Sequence, residues 1–123
     1  MLRLIRWLAL ALIITSPALG GPCVVTIEVD SVVHPVTVEI LGRAIEQAER
    51  GHCSLLLMRL NTPGGFLEAT RAATEKMLSS PVPIAAYVSP GGGRAASAGF
   101  FPLQAAGIAV KAPVTHTGAD HPV

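Results

Sequence analysis

Hydrophobic and polar positions change period along the chain in a way that predicts alternating strands and helices. Residues 24–29 form a short, β-branched run that is typical of a strand. Residues 54–60 are almost continuously apolar, which favours a strand buried on both faces of a parallel sheet. Further apolar runs at 82–88 and 107–110 predict a third and a fourth strand.

Between these strands the apolar positions adopt the spacing of helices. A helix is predicted over residues 35–50, because its apolar positions recur at i, i+3, i+4 and i+7: Leu41, Ala44, Ile45 and Ala48. Two further helices are predicted over residues 66–79 and 95–106. Strict alternation of strand and helix favours right-handed crossovers and a parallel sheet, so the fold class is α/β.

Two glycine-rich loops each follow a predicted strand. They read Asn-Thr-Pro-Gly-Gly at residues 61–65 and Ser-Pro-Gly-Gly-Gly at residues 89–93. Parallel strands end at one edge of the sheet, and ligand sites of open α/β sheets gather at that edge. We therefore expect both loops to lie at the edge of the sheet where ligand sites gather.

Composition narrows the class of protein. The chain has 123 residues, enough for one domain, and 50% are hydrophobic while 14% are charged, which indicates a packed core. The net charge of +1 gives no electrostatic reason to expect nucleic acid as a partner.

The first part of the chain has the pattern of a secretory signal peptide, predicted over residues 1–20. Arg3 and Arg6 precede the apolar run 7–14, and Ala18 and Gly20 are small residues at the positions a signal peptidase reads. An uncleaved N-terminal anchor is the alternative. Either segment would export residues 21–123 to the periplasmic or extracytoplasmic face of the membrane.

Ser97 is the candidate nucleophile. Ala96 and Ala98 flank it, so a substrate backbone can come close and the amide of Ala98 can point at a developing oxyanion. The N–H of Gly65 would be a second donor at the same edge, and two donors with a hydroxyl make an acyl-transfer site. A packing helix of small residues and a plain turn are the alternative interpretations of these two segments.

Taken together, these motifs resemble a known family. Thr-Pro-Gly-Gly at 62–65 and Arg-Ala-Ala-Ser-Ala-Gly at 94–99 resemble the ClpP-class serine proteases, and more closely the NfeD group of membrane-associated proteases. The similarity runs from Val24 to the C-terminus and includes Gly-Ala-Asp-His-Pro-Val at 118–123. It implies a crotonase-like fold of repeated ββα units around a parallel sheet, incomplete at the C-terminus.

The resemblance also implies roles for residues. Ser97 would be the nucleophile, with Gly65 and Ala98 donating the oxyanion hole, and a lysine would complete a Ser-Lys dyad. Members of the group are expected to cleave hydrophobic segments, including those of stomatin-like membrane partners. They need no cofactor, and the intact protein is expected to be a homo-oligomer.

The sequence departs from this pattern at the base. The family's lysine lies several tens of residues after the serine, beyond Val123, and Lys111 does not match its position. His116 and His121 are predicted to be loop residues. Residues 21–123 are therefore expected to form a partial ClpP-like domain, an N-terminal fragment that is inactive without its base.

Two other functions fit parts of the pattern. The missing base favours a non-catalytic exported scaffold that binds a stomatin-like membrane partner. An acyl-CoA enzyme of the crotonase superfamily would share the fold and the oxyanion hole, but export argues against it, because CoA thioesters are cytoplasmic.

The cysteines leave two interpretations open. Cys23 and Cys53 each precede a predicted parallel strand, so they would lie at one end of the sheet. An exported protein permits a disulfide between them, and two free thiols are the alternative. No four-ligand metal spacing occurs in the sequence, so no zinc site is predicted.

Overall fold

The computed structural model describes residues 22–118. The predicted signal peptide at 1–20 and His121 lie outside this range. The strands are β1 (Val24–Val29), β2 (Leu55–Leu60), β3 (Ile84–Val88), β4 (Arg94–Ala96), β5 (Ile108–Lys111) and β6 (His116–Gly118). The helices are α1 (Pro35–Arg50), α2 (Leu67–Leu78) and α3 (Phe100–Ala105).

The main layer is a parallel sheet with strand order β1-β2-β3-β5, which confirms the predicted α/β class. Its ladders hold Val29 beside Leu60 and Leu60 beside Val88, so apolar side chains line up across the sheet. Helix α1 packs against β1, β2 and α2. Among the large apolar side chains of this core, Leu41, Leu56, Leu60 and Val88 are almost completely buried.

A second layer is built from short extended segments that follow the main strands. Val33, after β1, forms a parallel bridge with Gly65, after β2. Thr62 forms a parallel bridge with Ala95 in β4, and β4 pairs in parallel with β6, after β5. Each main strand is thus followed by a second-layer segment, and three of these segments are followed by a helix. This is the repeated ββα pattern that the resemblance implied.

The helix predicted over residues 95–106 is wrong in its first half. Residues 94–96 form β4, a single 3₁₀ turn covers Ser97–Gly99, and the α-helix begins only at Phe100. The N–H of Thr62 donates to the carbonyl of Arg94 (2.7 Å), and the N–H of Ala96 donates to the carbonyl of Thr62 (3.1 Å). These long-range bonds override the helix propensity of the alanines.

The structure joins Cys23 and Cys53 in a disulfide at the amino ends of β1 and β2. The carbonyl of Cys23 also accepts hydrogen bonds from the N–H (3.0 Å) and the hydroxyl (3.2 Å) of Ser54. The disulfide and these bonds fix the first two strands side by side. This end of the sheet is opposite the glycine-rich loops.

We expect reduction of this disulfide to lower the free energy of unfolding by about 3 kcal/mol, because the bond closes a long loop in the unfolded chain. Urea unfolding with and without dithiothreitol measures the difference. The double variant Cys23→Ala/Cys53→Ala should match the reduced protein and should not respond to dithiothreitol. Equal unfolding midpoints for the oxidised and reduced chains would contradict the expectation.

Candidate active site

The loop after β2 lies directly against Ser97. A Cβ atom built on Gly64 would lie 3.2 Å from the Cβ of Ser97 and 3.3 Å from the amide nitrogen of Ala98. Gly64 has a φ of 125°, which side chains rarely tolerate. Glycine at this position therefore lets the two segments approach backbone to backbone, at the carboxyl ends of β2 and β3.

Thr62 fixes the shape of this loop from inside. Its side chain is buried, and its hydroxyl accepts from the N–H of Gly64 (3.2 Å) and donates to the carbonyl of Gly64 (3.0 Å). A Cβ on Gly99 would overlap the methyl group of Thr62. The glycine after Ser97 and Ala98 thus makes room for the threonine that holds the opposite loop.

Asn61 is a positioning residue, although the sequence pattern indicates only a turn at this position. Its side-chain oxygen accepts from the N–H of Arg94 (3.1 Å), and its side-chain nitrogen donates to a carboxylate oxygen of Asp30 (2.7 Å). It therefore joins the end of β1, the end of β2 and the start of β4. The sequence signal for this role is a polar residue, Asn61, placed directly after the buried strand β2.

The backbone of Gly65 is oriented by its bridge to Val33. Val33 donates its N–H to the carbonyl of Gly64 (2.9 Å) and accepts from the N–H of Phe66 (3.0 Å). Successive N–H groups of an extended segment point to opposite sides, so the N–H of Gly65 points away from Val33. It has no hydrogen-bond acceptor within residues 22–118, which leaves it free to bind a ligand atom.

Ser97 has an unusual backbone conformation. It opens the 3₁₀ turn with a φ of 50°, in the left-handed region that residues other than glycine rarely enter. Its carbonyl accepts from the N–H of Phe100, and its side chain is exposed. Strained residues of this kind cluster at active sites, where the fold holds them in place.

Neither Lys111 nor His116 forms a side-chain hydrogen bond with Ser97 in the part of the chain that the structure describes. Lys111 is exposed at the end of β5, opposite Val88. His116 was predicted to be a loop residue, but it lies in β6, because its N–H donates to the carbonyl of Gly93 (3.0 Å). No cluster of residues suited to a metal ion occurs between residues 22 and 118.

A groove of about 250 Å³ lies between α2 and α3, and it is lined by Leu67, Thr70, Arg71, Thr74, Glu75 and Phe101. Helix α2 starts two residues after Gly65 and packs against both the Ser97–Gly99 turn and α3. Leu67 and Phe101, one from each helix, are 63% and 46% exposed in the groove. The buried hydroxyl of Thr70, which also lines the groove, has no hydrogen-bond partner within residues 22–118. The groove thus offers exposed apolar surface from Leu67 and Phe101 together with an unpartnered hydroxyl.

These features define a class of protein. A parallel two-layer α/β fold, with a strained serine facing a Pro-Gly-Gly loop at the strand ends, is the ClpP-like fold. Residues 23–123 match the family described as "NfeD1b, N-terminal domain". The chain belongs to this family.

Two curated relatives extend this result. The chain is 28% identical, over all of its 123 residues, to the "membrane-bound protease PH1510" of Pyrococcus horikoshii, and it covers 28% of that protein. It is 31% identical over 83 residues to the "membrane protein NfeD1b" of Bacillus subtilis, a match that covers 67% of this chain and 18% of the relative. The chain thus spans less than a third of either relative.

Solved structures show the same similarity. The chain is similar to the "1510-N membrane-bound stomatin-specific protease", solved as a lysine-to-alanine mutant in complex with a substrate peptide. The TM-score is 0.80 with 28% identity, over 85% of this chain and 48% of that one. A serine-to-alanine mutant of the same protease matches with the same TM-score and covers 51% of its chain. ClpP1 of Listeria monocytogenes, at 18% identity and a TM-score of 0.65, supports the fold alone.

Both named relatives are membrane proteins by their descriptions. Within residues 22–118, no helix is long and apolar enough to cross a bilayer.

Proposed function

We propose that this chain is the nucleophile-bearing part of a serine endopeptidase. Ser97 attacks the carbonyl of a peptide bond, and the N–H groups of Gly65 and Ala98 bind the oxyanion that forms. The observation that carries the proposal is the close approach of Gly64 to Ser97: a Cβ added to Gly64 would lie 3.2 Å from the Cβ of Ser97. The two candidate donors, Gly65 and Ala98, directly follow these two residues in the sequence.

We propose a lysine as the general base, supplied by a longer chain that continues past the described residues. The serine hydroxyl is a weak nucleophile until a neighbouring group removes its proton, and a lysine can do so when its surroundings keep it neutral. A protease to which this chain is 28% identical has been solved as a lysine-to-alanine mutant with bound substrate peptide, which supports this assignment. Lys111 is exposed and makes no hydrogen bond with Ser97, so it is not proposed for the role.

The substrate we propose is a hydrophobic segment of a membrane-associated protein, of which a stomatin-like protein is one example. The groove between α2 and α3 supports this class, since Leu67 and Phe101 offer exposed apolar surface there and α2 packs against the Ser97–Gly99 turn. The similar 1510-N protease of Pyrococcus horikoshii is specific for a stomatin homologue, which supports the stomatin-like example. We place the site on the extracytoplasmic face of the membrane, in line with the predicted signal peptide.

The test is to supply the proposed base. The 123-residue chain is fused to the part of the Pyrococcus protease that follows the aligned region, and cleavage of an apolar peptide is followed by mass spectrometry. We expect the fusion to cleave the peptide and the unfused chain to leave it intact, because only the fusion contains a lysine that can deprotonate Ser97.

Two controls separate the causes. Replacing the fused segment's lysine with alanine should abolish cleavage while the protein remains folded by circular dichroism. A folded fusion that binds no apolar peptide would argue for a different function. Cleavage by the unfused chain would show that the base lies within the 123 residues.

A further inference from the structure

The two-stranded sheet of β4 and β6 forms a ledge that leads to Ser97. We define the ledge as the solvent-facing positions of this sheet: Arg94, Ala96, His116 and Gly118. Ala95, between Arg94 and Ala96, is buried, so the alternation of strand side chains turns its two neighbours outward. In the register of the sheet, Arg94 is opposite His116 and Ala96 is opposite Gly118.

The two halves of the ledge differ in chemistry. Nearest Ser97, Ala96 and Gly118 leave the surface almost free of side chains, so an extended peptide can lie close to the backbone there. Two residues further back, about 7 Å along a strand, Arg94 and His116 occupy paired positions in the register, and both side chains are exposed. A peptide that lies along the ledge would meet small residues first and hydrogen-bond donors next.

No ion pair within residues 22–118 occupies the guanidinium of Arg94. The carboxylate of Asp30 is connected to Arg94 only through Asn61, and it accepts from the side-chain nitrogen of that residue. The oxygen of the same Asn61 side chain accepts from the backbone N–H of Arg94. The backbone of Arg94 is therefore fixed, while its side chain remains available to an incoming anion.

We infer that Arg94 and His116 select substrates that carry a carboxylate about two residues from the bond to be cleaved. The inference rests on the proposed function, and it adds a carboxylate to the hydrophobic segment proposed for the substrate. Arginine presents a planar pair of donors that matches a carboxylate, and the neighbouring imidazole can donate a further hydrogen bond. In an extended peptide, side chains two residues apart face the same way, which matches the spacing on the ledge.

Peptide binding to the 123-residue chain tests this inference. The probes are fluorescently labelled apolar peptides that are blocked at both ends. One pair carries glutamate or glutamine two residues before the central residue, and a second pair carries them two residues after it. A further peptide has glutamine there and ends in a free carboxylate at that distance, which distinguishes a chain terminus from a side chain. Fluorescence anisotropy gives the Kd of each peptide at low ionic strength and again in 0.5 M salt.

We expect one glutamate peptide to bind about three- to fivefold more tightly than its glutamine counterpart, as for an exposed ion pair, and to lose this advantage in high salt. Arg94→Gln should remove the difference and His116→Asn should reduce it. Arg43→Gln, a change at an exposed arginine of α1, should leave it intact. Equal binding of glutamate and glutamine peptides would overturn the inference but not the proposed function. Failure of every peptide to bind would overturn both.

Discussion

Gly65→Ala is expected to lower the free energy of unfolding by about 4 kcal/mol, among the largest effects of a single substitution. A Cβ at this position would overlap three atoms of Val33: its backbone nitrogen, its carbonyl oxygen and its Cβ. Val33 is buried and held by hydrogen bonds to Gly64 and Phe66, so it cannot move aside without breaking the second layer. Chemical denaturation monitored by circular dichroism measures the loss.

Gly107→Ala is the matched control for this substitution. A Cβ on Gly107 would have the carbonyl oxygen of Ile84 as its nearest atom, at 3.7 Å, which is ordinary contact distance. This variant should unfold within about 1 kcal/mol of the parent protein. If Gly65→Ala proved as stable as Gly107→Ala, the close approach of Val33 to the Pro-Gly-Gly loop would be wrong, and so would the orientation inferred for the N–H of Gly65.

Most of the main sheet could be predicted because its signals are local. The β-branched run at Val24–Val29 and the helical period at Pro35–Arg50 have the same bounds in the structure as in the prediction. The second helix begins at Leu67 rather than at Phe66. Short apolar runs and helical spacing depend on neighbouring residues only, so a single sequence is enough to recognise them.

The second layer could not be predicted, because its hydrogen bonds join residues distant in sequence. Ala95 is a strand residue because it forms a bridge with Thr62. His116 is a strand residue because its N–H donates to the carbonyl of Gly93. Nothing in a run of alanines and a serine indicates such partners, and alanine by itself favours a helix. The bridge segments after β1 and β2 are only one or two residues long, which is too short for any periodicity.

The candidate site shows the same division. Two glycine-rich loops at the ends of neighbouring parallel strands could be expected at one edge of the sheet, and the structure has both at that edge. The details that shape the loops could not be expected from the sequence. The hydroxyl of Thr62 holds Gly64, the amide of Asn61 connects Asp30 with Arg94, and Ser97 adopts a positive φ. Each of these depends on the three-dimensional arrangement of segments that are separate in the chain.

The strain at Ser97 leads to the second large prediction. In the cleaving fusion protein, Ser97→Gly should reduce the rate by about a thousandfold or more, because the proposed nucleophile is lost. The same variant should raise the free energy of unfolding by about 1 kcal/mol, because glycine adopts a φ of 50° without the steric cost that a Cβ imposes. Ser97→Ala keeps the Cβ, so it should lose activity without becoming more stable.

His52→Gly is the matched control for strain, since His52 has a φ of 51° and lies just after α1, at the opposite end of the sheet from Ser97. It should gain a similar stability while cleavage continues at the parent rate. Unchanged cleavage by Ser97→Gly would exclude Ser97 as the nucleophile. Equal stability of Ser97→Gly and Ser97→Ala would instead show that the serine is unstrained. Together, a gain in stability and a loss of cleavage at Ser97 would mean that the fold gives up stability to hold this serine where it can react.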